Sequence, residues 1–297
     1  MPLFDDLIGN TQAKRCLERL ISIKRSHFPL LFAGPEGIGK SLFALRFASH
    51  FLDERTLKGE HPDLRVFRPE GKGQLHPFQS IQEMIKEAHL SPYTAEVKFF
   101  IFLDAERMLA ASSNALLKIL EEPPSSARII LTTSQPQMLL ATLASRLFRI
   151  DFFPPESEEF TSFIQTRHTL EKESASELAE LSRGSFSALQ LLLSEEMRIK
   201  RTLLKELLCA GDYLTQMEKI KELEALLDAT RENSEELWRK EIDLLFEELF
   251  RFARCEDPKR LKRAVYFIEK CKKALEHHVK IAVILEAFCL MNYTQTT

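Results

Sequence analysis

Gly34, Pro35, Glu36, Gly37, Ile38, Gly39, Lys40 and Ser41 follow the spacing G-x-x-x-x-G-K-[ST]. Glycines at those positions let successive backbone N–H groups turn inward around an anion, because a Cβ would block the left-handed conformations required. Lys40 is then expected to reach the outer phosphates of a nucleotide, and the Ser41 hydroxyl to bind Mg²⁺. The flanks agree. Residues 28–33 are a short apolar run suited to a buried strand, and 41–48 read as a helix whose N-terminus faces the loop. The loop implies nucleotide-phosphate binding and leaves hydrolysis open. A glycine turn that merely joins strand to helix is the alternative.

A second candidate comes from residues 97–103, the strongest buried-strand signal in the chain, which deliver Asp104 at their end. An apolar strand ending in a carboxylate is how a Mg²⁺ ligand is brought to the edge of a sheet. A glutamate directly after it would orient attacking water, but Ala105 stands there. Glu106 comes one position late, which turns its side chain to another face. An intact phosphate loop without that base implies binding without efficient turnover. If Asp104 only caps the next turn, the pairing dissolves.

These residues need elements to hold them. Seven of the nine glycines lie before residue 75, and after Pro155 the sole proline is Pro258, so turns punctuate the first half and long helices fill the second. Helices are expected over 11–25, 41–48, 77–90 and 112–121, alternating with strands over 28–33, 65–68, 97–103, 128–133 and 147–152; 53–62 and 69–77 read as polar loops. Such alternation implies an α/β domain with a parallel sheet covered on both faces, binding ligands beyond the carboxyl ends of its strands. After Pro154 and Pro155, two short helices are expected within 156–184 and a third over 186–197. Four or five helical segments follow to 292. Their apolar stripes, among them Leu203, Leu204, Leu207 and Leu208, then Leu223, Leu226 and Leu227, read as bundle core. So do Leu237, Ile242, Leu245, Phe246 and Leu249, and in the tail Val265, Ile268, Val279, Val283 and Leu285.

Composition narrows the function. The chain has 297 residues, 44% of them hydrophobic and 29% charged, as in an ordinary globular protein long enough for two or three domains. A net charge of −3 argues against a free-standing basic nucleic-acid binder. Five scattered cysteines without a C-x-x-C suit a reducing cytosol and argue against a structural zinc site. The first residues carry no leader pattern and no run approaches a membrane span, so a cytoplasmic protein without a membrane partner is expected. Lys259, Arg260, Lys262, Arg263, Lys270, Lys272, Lys273 and Lys280 read as a solvated helix face, with a partner or DNA surface as the alternative.

Three segments carry a resemblance: Asp104 to Met108, Asn114 to Pro124 with its Leu120-Glu121-Glu122-Pro123-Pro124 ending, and Leu140 to Arg146. They resemble the bacterial clamp-loader AAA+ proteins, as do 4–10 and 28–40, so the motifs cover about 4–150. The resemblance implies a nucleotide-binding domain (1–153), a helical lid (154–200) and a helical collar that closes a pentamer (201–297). It implies hetero-pentameric assembly with other clamp-loader subunits (delta, gamma/tau), and, through the complex, a sliding clamp and primed DNA. It places Thr133 as the sensor-1 polar residue. Arg146 becomes an arginine finger offered to ATP on a neighbouring subunit; a solvated arginine between helix and strand is the alternative. Ile8 and the lid become adenine contacts. ATP or ADP with Mg²⁺ is the implied cofactor.

Three departures narrow the type. Glutamate is missing after Asp104, and the lid segment 184–189, with Ser187, has no sensor-2 arginine. The four cysteines of the zinc module carried by many relatives are missing from 50–64, where His50 and His61, lacking further ligands, read as surface residues. All three resemble the delta-prime branch, in which turnover is weak, rather than the gamma/tau motors. A motor ATPase, another P-loop phosphoryl-transfer enzyme and a helicase loader are the rival readings.

Overall fold

The computed structural model describes residues 3–22, 28–71, 73–210, 212–256, 266, 269–271, 273–275 and 279–293. These divide into two compact units, Met1–Ser176 with Arg183–Ser187, and Glu177–Ser182 with Ala188–Thr297.

The first unit is built on five strands: β1 (Leu30–Ala33), β2 (Leu64–Phe67), β3 (Lys98–Phe102), β4 (Ala127–Thr133) and β5 (Phe148–Asp151). Every pairing is parallel and the order is β2-β3-β4-β1-β5. β1 and β3 are buried along their whole length, whereas the edge strands β2 and β5 keep exposed positions. Period-two alternation sorts side chains to the two faces. Phe32, Phe99 and Ile101 join a cluster with Leu17 of α1 (Thr11–Ser22) and with Phe43 and Phe47 of α2 (Lys40–Ser49). Leu31, Phe100 and Phe102 join another with Ile81 and Met84 of α3 (Phe78–Ala88) and Leu116 and Ile119 of α4 (Ala110–Glu121). This is the α/β architecture expected from the alternation. α5 (Ala141–Ala144) leads into β5, and α6 (Ser157–His168) follows it.

α7 (Lys172–Ser182) and α8 (Phe186–Leu193) are divided between the units. The second unit is otherwise helical: α9 (Glu195–Cys209), α10 (Tyr213–Asn233), α11 (Glu235–Glu256) and α12 (Ile281–Tyr293). Leu203, Leu204, Leu207, Leu223, Leu227, Ile242, Leu245, Phe246, Leu249 and Leu285 are buried there. Inside this core Lys200 Nζ meets Glu241 Oε2 at 2.5 Å and Thr230 Oγ1 at 2.7 Å. A buried pair of this kind adds little net stability but is costly to break on one side.

Several expectations needed correction. The helix expected over 186–197 breaks at Ser194, whose hydroxyl accepts from Met197 N and caps α9. Val279 and Val283 are 37% and 53% exposed, and Leu226 is exposed, so these three leave the core stripes. The polar loop 53–62 holds a 3₁₀ turn, Glu54–Lys58, capped by Asp53. His61, expected at the surface, is buried, with its Nδ1 accepting from Asp63 N at 3.0 Å; His50 is exposed. Of the cationic stretch, Lys259, Arg260, Lys262, Arg263 and Lys272 lie outside the described residues, as do Val265, Ile268 and the end of the helix expected over 11–25.

Candidate functional site

The phosphate loop leaves β1 at Ala33 and enters α2 at Lys40. At Gly34 an added Cβ would stand 2.3 Å from the Phe152 carbonyl oxygen, so only glycine fits between β1 and the exit of β5. The Gly34 N–H donates to the Thr133 carbonyl at 3.1 Å, tying the loop to the end of β4. Gly39 takes φ +93 at the head of α2, whose N-terminus has no side-chain cap, and its Cβ position meets nothing within 4 Å. An uncapped helix N-terminus facing open space fits a phosphate. Ile38 is buried and anchors the loop from below. Lys40 is buried, its ammonium donating to the carbonyls of Gly34 (2.7 Å) and Pro35 (2.6 Å). Ser41, next in α2, is exposed.

Asp104 follows β3 in the left-handed region, at φ 52 and ψ 56. Aspartate tolerates that conformation better than most residues. Its N–H donates to Thr132 Oγ1 at 3.2 Å, and the chain then enters a 3₁₀ turn, Ala105–Arg107. This reversal settles where the next side chains point. Ala105 is buried in the cluster of Phe102 and Met108, whereas Glu106 reaches β4: its Oε1 accepts from Ser134 N (3.0 Å) and Ser134 Oγ (2.6 Å). Glu106 Oε2 is buried without a hydrogen bond. Thr133, fully buried at the end of β4, accepts at its Oγ1 from Gln135 N at 3.1 Å and helps hold Glu106 ionised.

The electrostatics bind these groups together. Burial pulls the Lys40 ammonium below its usual pKa, against the opposing charges of Asp104, Glu106 and Glu36. Burial, then the Glu106 charge, push the Asp104 carboxyl up. Burial also pushes Glu106 up, but hydrogen bonds from Ser134 and Thr133 outweigh it and its pKa falls. Arg107 opposes the carboxylates at Asp104, and Asp104 and Ser41 are oxygen donors of the kind that would hold Mg²⁺. His76 was missed by sequence reasoning, which read 69–77 as a polar loop. It is buried, its Nε2 lies 2.7 Å from the Leu103 carbonyl, and burial lowers its pKa.

Two further groups border the loop. Phe186 N–H donates to the Gly37 carbonyl at 2.8 Å, and a Cβ on Gly37 would lie 2.0 Å from Ser187 Oγ and 2.1 Å from Ser185 Oγ. The segment lacking an arginine thus brings two hydroxyls onto the phosphate loop. Ile8 is half-buried in the amino-terminal segment, between buried Leu7 and Gly9, whose N–H donates to Glu159 at 2.9 Å. Phe4 of that segment stacks on Phe43 of α2, with ring centroids 5.7 Å apart.

Arg146 lies elsewhere. It precedes β5, whose Phe148 is level with Leu30 at the start of β1, while the phosphate loop follows the end of β1. Three register steps from Leu30 to Ala33, at about 3.3 Å each, separate those levels by roughly 10 Å. Arg146 is therefore at the amino edge of the sheet, opposite Gly34, Lys40, Ser41, Asp104 and Thr133. Its guanidinium is held by Glu121 of α4, which accepts from Nε at 2.7 Å and from Nη2, and by the Thr142 carbonyl, which accepts from Nη1 at 2.6 Å.

Comparison with known proteins follows the same lines. Residues 9–156 match the family described as "DNA polymerase III, delta subunit". The chain is 34% identical over 142 residues to DNA polymerase III subunit delta' of Bacillus subtilis, covering 42% of this chain and 41% of that one. It is 30% identical over 224 residues to DNA polymerase III subunit delta' of Escherichia coli, covering 69% and 64%. To DNA polymerase III subunit tau of Bacillus subtilis it is 27% identical over 164 residues, covering 50% and 29%. The matches thus span 29% to 64% of the length of these relatives. Among solved structures, a DNA polymerase III gamma subunit-related protein of Thermotoga maritima superposes with TM-score 0.58 at 25% identity, over 93% of this chain and 96% of that one. The RuvB Holliday junction branch migration motor of Thermotoga maritima shares the fold, with TM-score 0.50 at 18% identity over 74% and 72%.

Proposed function

Since residues 9–156 belong to the DNA polymerase III delta-subunit family, we propose that this chain works as a delta-prime-type clamp-loader subunit. In that reading 1–153 bind nucleotide, 154–200 form the lid and 201–297 form the collar of a hetero-pentamer with delta and gamma/tau subunits. Gly34, Gly37, Gly39, Lys40 and Ser41 hold ATP or ADP, Asp104 and Ser41 hold Mg²⁺, Thr133 senses the outer phosphate, and Ile8 borders the adenine. The subunit's chief contribution is Arg146, offered to ATP on a neighbour, so that the assembly loads a sliding clamp onto primed DNA. One observation carries this: Arg146 stands at the sheet edge opposite the chain's own phosphate loop, too far to serve it. A permanently charged, planar guanidinium suits a developing phosphoryl charge, and such fingers are worth roughly 10³–10⁵ in rate.

The test is a clamp loader reconstituted with Arg146→Ala. DNA-dependent ATPase and clamp loading should both fall at least tenfold, and unchanged rates would defeat the trans role. A gamma/tau-type motor is favoured by one feature, the ionised Glu106 whose charge acts on both Lys40 and Asp104. Steady hydrolysis by the isolated chain, abolished by Lys40→Ala, would select that reading instead.

A further inference from the structure

Glu121 is the last residue of α4, followed by Glu122, Pro123 and Pro124. A carboxylate in the last turn of a helix opposes the macrodipole, so its presence there needs a compensating partner. That partner is Arg146, 25 residues away, whose Nε and Nη2 both donate to the single oxygen Oε1 of Glu121. The Thr142 carbonyl, one turn earlier in α5, takes Nη1. The guanidinium is thus fixed from two elements, with its Nε–Nη2 side closed by Glu121. Nη1 also donates to Ser145 Oγ at 3.5 Å, whereas Nη2 carries two N–H bonds, one of which stays outside these contacts. That N–H can reach a phosphate without displacing Glu121, and the long Ser145 contact is the one to exchange if Nη1 joins it.

We infer that Glu121 is the positioning residue of Arg146: it holds the guanidinium in place, with an N–H of Nη2 left for a phosphate, before any partner arrives. This rests on the trans role of Arg146 proposed above. An exposed arginine would surrender its rotamer freedom on engaging the neighbour's phosphate, whereas one already held surrenders less. The side chain of Arg146 is 33% exposed and that of Glu121 49%, so the pair is accessible to a partner. Its exposure also keeps the contribution modest.

The experiment measures kcat and KM for ATP in reconstituted clamp loaders carrying Glu121→Ala, Glu121→Gln, Arg146→Ala and Arg146→Ala/Glu121→Ala. Glu121→Ala is expected to lower kcat about threefold to tenfold with KM unchanged. Glu121→Gln, which keeps an acceptor, should recover part of the loss, and Glu121→Ala should add nothing on the Arg146→Ala background. Equal melting temperatures for the variant chains separate this from a folding defect. A rise or no change in kcat with Glu121→Ala, or the same fall on the Arg146→Ala background, overturns the positioning role while leaving the finger intact. Normal kcat for Arg146→Ala overturns the finger itself, and the inference with it.

Discussion

Gly37→Ala tests whether the phosphate loop and the segment Ser185 to Ser187 work as one piece. Gly37 sits at φ +75, where an alanine costs about 1–2 kcal/mol. Its Cβ would also stand 2.0 Å and 2.1 Å from the Ser187 and Ser185 hydroxyls, and 3.1 Å from Ser187 Cβ. The hydroxyls can rotate away, but the serine backbone is held by the Phe186 N–H on the Gly37 carbonyl at 2.8 Å. Overpacking of this sort costs typically about 1–3 kcal/mol, so the substitution should destabilise by roughly 2–5 kcal/mol in all. At about 2–4 °C per kcal/mol for a domain of this size, the melting temperature should fall by at least ~4 °C. Combining Gly37→Ala with Ser185→Ala and Ser187→Ala should recover most of the packing share and leave the backbone share. The same melts run with Mg-ATP read the site directly. A ligand at a hundred times its Kd stabilises by about 2.7 kcal/mol, and the single variant should lose most of that shift. Wild-type melting of Gly37→Ala would refute the close approach, since neither the left-handed turn nor the clash could then exist.

Two other substitutions probe the carboxylate side of the molecule. Ala105→Glu restores the Asp-Glu order of an active ATPase but places the new carboxylate in the cluster of Phe102 and Met108. Several kcal/mol of stability should be lost with no gain in turnover, and a variant of normal urea midpoint that hydrolyses ATP would refute the orientation. Asp63 is buried and accepts from the N–H groups of Tyr93 (2.6 Å), Thr94 (2.8 Å) and Ala95 (3.0 Å) and from the Thr94 hydroxyl (3.0 Å). Burial alone would raise its pKa, but these bonds outweigh it and the carboxyl lies below its usual value. A depressed folded pKa gives stability that is present above the unfolded value, near 3.9, and is lost as pH falls through the folded one. Asp63→Asn should therefore cost about 1.5–3 kcal/mol at pH 7, and flatten the acid limb of a urea-midpoint profile below about pH 4. A wild-type profile would show that the carboxylate contributes nothing.

What the sequence made legible was whatever a few adjacent residues decide. The phosphate loop follows from glycine spacing, β3 from its run of Phe and Ile, and the end of α4 from Pro123 and Pro124. The break at Ser194 was missed because neither glycine nor proline marks it, although Ser194 followed by Glu195 and Glu196 is a helix-start pattern; the hydroxyl on Met197 N makes it plain. The exposure of Val283 escaped because α12 is apolar on nearly every side, so periodicity selects no face. Glu106 was seen to be out of place, but where it goes depends on the left-handed turn at Asp104, which no composition signals. The two contacts that matter most around the candidate sites join residues far apart in the chain, Gly37 to Phe186 and Glu121 to Arg146. No local pattern encodes either.

The parallel sheet itself explains why those two contacts lie where they do. In such a sheet every loop after a strand emerges at one edge and every residue before a strand gathers at the other. The phosphate loop after β1, Asp104 after β3 and Ser134 after β4 share the first edge; Glu121 before β4 and Arg146 before β5 share the second. A chain with this connectivity cannot turn Arg146 onto its own Lys40 by any side-chain rotation, because the strands lie between them. On the reading proposed here it contributes half of a site at each edge, and neither half is catalytic alone. Weak turnover in the isolated chain and strong dependence of the assembly on Arg146 are then one expectation, since both follow from the strand polarity that separates the two edges. A finding of strong solitary hydrolysis would have to come from an acid on the phosphate-loop edge. Glu106 and Glu36 both act by charge on Asp104 and Lys40, and Glu106 is the one that follows Asp104 in the chain, so Glu106→Gln in the isolated chain separates the two accounts. Loss of that hydrolysis would make this chain a motor, whereas no hydrolysis to lose leaves Arg146 as its working residue.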